Sequence, residues 1–182
     1  TFTIPLAPVF ADAENDALAY SVAVDGVIGA SVDGTSLILT SLAGNHGTAT
    51  VTVTATETAT PEKLAVSDTF TVTVKPVWNT TQNTFFDTIQ AAIDHSATVA
   101  GDVITVASGT YSGNLTISKG VALRSVAGPA ATILIGTGGA AVKAESNGVE
   151  VTGFTIRNPS GVQGFYAKNR SQILVSGNVF ET

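Results

Sequence analysis

Three acids at alternating positions, Asp12, Glu14 and Asp16 in the run ADAENDAL, form the sharpest chemical cluster in the chain. Calcium takes roughly six to eight oxygens, several of them from carboxylates on one flexible loop, and acids at i, i+2 and i+4 can supply these. The plainer reading of the same run is an acidic, solvated turn. Asp25 and Asp33 each precede a glycine and read as hairpin residues. A second chemistry would need carboxylates in the second half. Glycosidic cleavage uses two of them about 5–10 Å apart, and residues 77–182 offer Asp87, Asp94, Asp102, Glu145, Glu150 and Glu181 with no close pair. Lys143 and Lys168 could stack on one face, flanked by Arg157 and Arg170. Such a strip could hold an acidic glycan; ordinary outward-facing charge is the alternative. His46 and His95 have no metal-ligand partner at a telling spacing. There is no Gly-x-Ser-x-Gly nucleophile elbow. The spacing therefore marks no catalytic residue.

The charge is unevenly spread. The chain has 182 residues, a formal net charge of −6, no Cys and only 12% charged residues. Residues 1–76 hold eight acids against two bases, whereas residues 77–182 hold six against six. The acidity belongs to the first part, where a cation could use it. An acidic chain offers no cationic footprint for nucleic acid. Disulfide scaffolds and cysteine-based metal or redox sites are excluded, and the apolar content argues against disorder.

The elements that would position these groups change near Pro76. Before it, TATVTVTAT and TFTVTVK alternate apolar and polar residues at period two. That pattern gives one packed and one wet face, as in an antiparallel sandwich of six or seven short strands. Turn clusters at Asp25-Gly26, Asp33-Gly34, Gly44–Gly47 and Thr58–Lys63 separate the runs. After Pro76, Phe86, Ile89, Ala92 and Ile93 share one face of an expected helix over residues 85–97, with Thr84 and Asp87 at its start. Short strand-like pieces follow: Val103–Ala107, Leu115–Ser118, Val121–Ser125, Thr132–Ile135, Ala141–Ala144, Val149–Val151, Phe154–Arg157, Phe165–Ala167 and Ile173–Val175. The text Val151-Thr152-Gly153 recurs in kind as Val175-Ser176-Gly177. Three strands in a period of the low twenties suit the stacked coils of a solenoid. The domains expected are therefore 1–76 and 77–182.

Two resemblances follow from these texts. FFDTIQAAIDHSATVAGDVITVASGTYSGNLTISKGVALRS and GVEVTGFTIRNPSGVQGFYAKNRSQILVSGNVF resemble the N-terminal helix and first coils of a pectin-lyase-like right-handed parallel β-helix. FADAENDALAYSVAV, DGTSLIL, TATVTVTATE and VSDTFTVTV resemble a dystroglycan-type cadherin-like (Ig-like) module of bacterial surface proteins. The implied fold class is all-β: a small antiparallel β-sandwich, then a right-handed parallel β-helix with an N-terminal capping helix. The β-helix fold hosts lyases, hydrolases, epimerases, tailspikes and adhesins, so it fixes no single function. The cadherin-like resemblance implies Ca2+ as cofactor, with Glu57 and Asp68 joining Asp12, Glu14 and Asp16 as ligands. Glu57 stands where that pattern more often has Asp.

The expected role is a non-catalytic, extracellular or cell-surface structural and adhesive segment, with carbohydrate as a possible ligand. The alternatives are the N-terminal part of a β-helix polysaccharide lyase or hydrolase, and a subunit of an extracellular filament assembling through open β-edges. The sequence stops directly after a repeat strand, so the expected partners are neighbouring domains of a longer chain or a second copy at an open β-helix end. No apolar run approaches the roughly 20 residues of a membrane-spanning helix.

Overall fold

The computed structural model describes residues 1–42, 45–59, 63–161 and 163–181. Parts of two expected turns, at Gly44 and over residues 60–62, lie outside the described residues. Backbone proximity divides the chain into two compact units, Thr1–Val74 and Lys75–Thr182.

The first unit contains β1 (Phe2–Pro5), β2 (Leu18–Asp25), β3 (Ile28–Asp33), β4 (Ser36–Ser41), β5 (Gly47–Glu57) and β6 (Ala65–Val74). They form two three-stranded antiparallel sheets, β1-β4-β3 and β2-β5-β6. The period-two alternation works as expected on β5. Ala49, Val51, Val53 and Ala55 are buried, joining Leu6, Ile28, Leu37 and Leu39 in one apolar core. The threonines between them point outward and pair across strands, Thr52 with Thr69 at 3.0 Å and Thr54 with Ser67 at 2.8 Å. Asp33-Gly34 makes the expected hairpin, with Asp33 opposite Ser36. Asp25-Gly26 does not. It carries the chain from one sheet to the other, because β2 and β3 belong to different sheets. Gly26 is required there: its φ is +122°, and a Cβ would lie 2.9 Å from Ala49 Cα.

The second unit opens with an antiparallel pair, β7 (Val77–Asn79) and β8 (Thr84–Phe86), and a short helix α1 (Ile89–Asp94). The helix is shorter than expected. Its first residues are drawn into β8, where Phe85 and Phe86 pair with Trp78 and Val77. The N-cap is Thr88 rather than Thr84, with Thr88 Oγ1 accepting from Ala91 N at 3.1 Å. Ile89, Ala92 and Ile93 are buried, as the helical spacing requires.

Eleven strands then wind into coils: β9 (Val103–Val106), β10 (Gly109–Ser112), β11 (Leu115–Ile117), β12 (Ala122–Ser125), β13 (Thr132–Ile135), β14 (Ala140–Ala144), β15 (Glu150–Thr152), β16 (Thr155–Arg157), β17 (Gln163–Ala167), β18 (Leu174–Ser176) and β19 (Val179–Glu181). They stack as three parallel sheets, β9-β12-β15-β18, β10-β13-β16-β19 and β11-β14-β17. This is a parallel β-solenoid of about three turns. All nine expected pieces fall on observed strands; β10 and β19 are additional. The interior rows are apolar: Ile104, Leu123, Val151 and Val175 lie in register on one sheet. Successive coils differ in length, because the connection from β9 to β10 is shorter than that from β12 to β13. Asparagines tie coil to coil. Asn147 Oδ1 accepts from Ser171 N at 3.0 Å, and Asn178 Oδ1 accepts from Phe154 N at 2.8 Å. Phe154 is fully buried, whereas Phe180 is 52% exposed on the last described strand.

Candidate functional site

The five acids grouped for calcium fall in two places. Asp12 closes its own loop: its Oδ1 accepts from Glu14 N at 3.0 Å and Asp16 N at 2.7 Å. Asn15 takes the left-handed backbone that such a turn needs, with φ 64°. The loop is fastened to the end of β5, because Ala17 O accepts both the N–H and the hydroxyl of Thr58 at 2.9 and 2.8 Å. Leu18 is in register with Glu57, so Glu57 stands beside the loop. Its Oε2 accepts from Leu64 N at 3.2 Å. Asp68 is elsewhere. It sits opposite Val53, four residues back along β5 from Glu57, or about 13 Å at the rise of a strand. No three carboxylates or imidazoles converge on one point among the described residues. The five acids do not fit a single calcium ion in this geometry.

The basic residues do not form one strip, although Arg170 and Lys143 both act on Glu145. The parallel register stacks Tyr166 on Lys143, as Phe165 stacks on Val142, so Lys168 does not lie over Lys143. Arg157 lies on β16, in a different sheet. Lys143 pairs with Glu145, and Arg157 pairs with Glu181, its register partner on the next coil. Arg170 donates to Asn169 O at 3.4 Å, and Lys168 is exposed in the same turn.

Arg124 and Glu150 were not singled out by spacing, yet they make the best-formed ion pair of the coils. Arg124 Nε and Nη2 donate to the two Glu150 oxygens at 2.7 and 2.9 Å, bridging β12 and β15. Thr152 Oγ1 adds a third bond to Glu150, at 3.1 Å. The Arg124 hydrogen bonds hold the Glu150 carboxyl below its usual range, and Glu150 in turn holds the guanidinium above its own. The Lys143 hydrogen bond and charge likewise lower Glu145.

Asp102 carries the most constrained charge. The residue is 2% exposed, and its carboxylate accepts from Asn79 Nδ2 at 2.9 Å, Val99 N at 3.1 Å and Gln82 Nε2 at 3.2 Å. Burial raises its pKa, but these donors outweigh burial and leave it below the ordinary value. Asn79 Nδ2 also donates to Thr98 Oγ1 at 3.1 Å, and Thr98 donates to Ala92 O at 2.8 Å. The network pins the β7–β8 turn and the end of α1 to the start of β9. Asp102 was visible in the sequence only as one of the acids of the second half; its side-chain partners Asn79 and Gln82, far upstream, carry no spacing that names them.

Two surface features complete the second unit. Trp78 and Phe85 stack face to face, centroids 5.3 Å apart at 8°. A hollow of about 390 Å³ lies between the start of α1 and β10, lined among others by Asp87, Gln90, Tyr111 and Asn114. Tyr111 is pushed up to about 12 by burial and donates to Ala107 O at 2.8 Å, a structural rather than an acid–base arrangement. No described helix is long and apolar enough to cross a membrane. The chain matches no family, no curated protein and no solved structure.

Proposed function

We propose that the chain is a non-catalytic structural segment of an extracellular or cell-surface protein, in which a cadherin-like sandwich precedes a pectin-lyase-like β-helix used as a rigid spacer. The observation carrying this reading is the use of charge in the coils. Glu145, Glu150 and Glu181 are each engaged by a base on the same or the neighbouring coil. Acid–base cleavage of a glycan needs carboxylates left available to substrate; here Glu150 and Glu181 serve as rungs between coils and Glu145 is held by Lys143 within its own coil. Asp102, the one deeply buried carboxylate among the described residues, is saturated by amide donors.

Stacked coils share one interior, which suits a load-bearing rod. Along one interior row, Leu134 and Ile156 are buried whereas Phe180 is half exposed. Calcium is not part of this reading, since the acids assigned to it do not converge.

The test is an activity screen on polygalacturonate, alginate and neutral β-glucans, reading reducing ends and unsaturated products. No turnover is expected. Cleavage of any of them by this chain would replace the spacer reading with the lyase or hydrolase alternative.

A further inference from the structure

The sandwich core is open along one seam. On its other side β2 runs through Gly26-Val27 straight into β3, so the chain itself closes the gap between the sheets. On the open side stand β1 and β6, each the edge strand of its sheet. Their core-facing side chains are poorly covered. Phe2 is opposite Leu39 and Ile4 opposite Leu37, so all four share one face. Leu39 and Leu37 are buried, but Phe2 is 66% exposed. The same holds across the slot: Ala55 is 1% exposed, while its partner Val66 on the same face is 60% exposed. Two cavities, about 450 and 210 Å³, run along this seam; Ile4 from β1 and Phe70 from β6 line both, and Phe2 and Val72 line the larger.

A sandwich with both central strands covered and both edges uncovered on one side is missing a strand's worth of side chains. Neither β1 nor β6 has a strand partner on its outer edge among the described residues, and on β6 Asp68 Oδ1 accepts from Thr69 N at 2.9 Å. The ten residues of β6, AVSDTFTVTV, contain no Pro and no Lys to block pairing. Thr1, Thr40, Ser41 and Thr71 line the larger cavity among its apolar residues, and the smaller one holds a single charged side chain. Asp68 lines the smaller cavity beside Ile4, Leu6, Phe10 and Phe70, and no ion pair reaches it among the described residues.

We propose that the seam between β1 and β6 is a docking site for an extended strand of another protein, added by β-augmentation, with alternate apolar residues and one Lys or Arg placed against Asp68. Main-chain bonds to the edge supply affinity, and the alternating pockets supply register. Charge selects the occupant. Residues 1–76 carry eight acids against two bases, and burying Asp68 without a counter-charge is unfavourable. A second copy would bring a further β6 with its own Asp68 to the slot, whereas a basic strand neutralises it.

The experiment uses the full chain and two capped octapeptides that alternate Val and Thr. One carries Lys at a single inward position, the other Glu at that position. The Lys peptide should bind saturably, about tenfold more tightly than the Glu peptide, and slow amide exchange in β6 and β1. Asp68→Asn should leave the fold intact and collapse the difference between the peptides. Absence of saturable binding, or equal affinities for wild type, would overturn the proposal. So would a concentration-dependent dimer in sedimentation that protects β6 without peptide; that result would assign the seam to a second copy.

Discussion

Asn79 and Asp102 meet in the interior of the second unit, Nδ2 to Oδ2 at 2.9 Å, with both residues almost inaccessible to water. The pair joins the antiparallel opening of the unit to its first parallel coil. Removing one partner leaves a buried group without its bond, which costs about 1–3 kcal/mol and more for a charged acceptor. Asn79→Ala should therefore destabilise the second unit by about 2–4 kcal/mol, since Asp102 remains buried and charged. Trp78 is the only tryptophan and lies in this unit, so urea unfolding followed by its fluorescence reads the loss directly. An unchanged midpoint would show that the network is not structural.

The same carboxylate sets an acid dependence. Asp102 has a folded pKa below its unfolded value, as do Glu150 and Glu145. A group depressed on folding contributes stability that is fully present above the unfolded pKa and is lost as pH falls through the folded one. Between about pH 7 and pH 5 these groups should leave the Trp78 transition unmoved. Below about pH 4, the ordinary carboxylate range, stability should fall. Asp102→Asn should flatten that acid limb; an equally steep limb in the variant would remove Asp102 as its source.

Much of the architecture was legible in the sequence because it rests on period. Val51 and Val53 alternate with threonine and are buried; Val151 and Val175, in the recurring Val-x-Gly text, stack in register. What was not legible depends on pairing partners that period does not name. The residues of β8 have helical spacing with Ile89 and Ile93, yet Phe85 and Phe86 pair with β7 instead. Asp25-Gly26 has hairpin chemistry, but the partner of β2 is β5, so the turn changes sheets. The basic strip failed for the same reason. Coils of unequal length give no fixed spacing, and on this rung Tyr166, two positions before Lys168, is what stands beside Lys143.

The rungs and the core should differ sharply in cost. Leu123 is fully buried in the interior row, and Leu123→Ala should cost about 2–5 kcal/mol. Arg124, its neighbour in sequence, faces outward with its side chain 48% exposed. Solvent screens such a pair, so Arg124→Ala should cost only about 0.2–1 kcal/mol. Urea midpoints of both variants, read at Trp78, check the ratio. If Arg124→Ala proved as costly as Leu123→Ala, the outward ion pairs would be holding the coils rather than decorating them.

Gly26 gives a test confined to the first unit. Its φ of +122° is strained for any L side chain, and a Cβ there would lie 2.9 Å from both Ala49 Cα and Thr48 O. Those are backbone atoms of the central strand β5, which cannot move aside as a flexible side chain would. Gly26→Ala should lower the stability of the sandwich by about 2–4 kcal/mol. Gly34→Ala, at φ +58° with nothing within 4 Å, should cost only about 1 kcal/mol. Amide exchange in β5 separates the two, and equal effects would mean that φ alone, not the approach to β5, fixes Gly26.

Calcium provides the last test. The Asp12 loop is closed by its own backbone, and Asp68 stands about 13 Å along the strand from the level of Glu57. An ion bound only by the folded state raises stability by mass action, by about 2.7 kcal/mol at a hundredfold excess over Kd. With the acids apart, no such gain is expected. The melting of the first unit, followed by far-UV circular dichroism, should be the same in millimolar calcium and in chelator. A rise in Tm with calcium that Asp16→Ala abolishes would show instead that the loop opens and gathers its acids around the ion. That outcome would restore calcium to the sandwich and leave the β-helix argument untouched, since none of its rungs involves these residues.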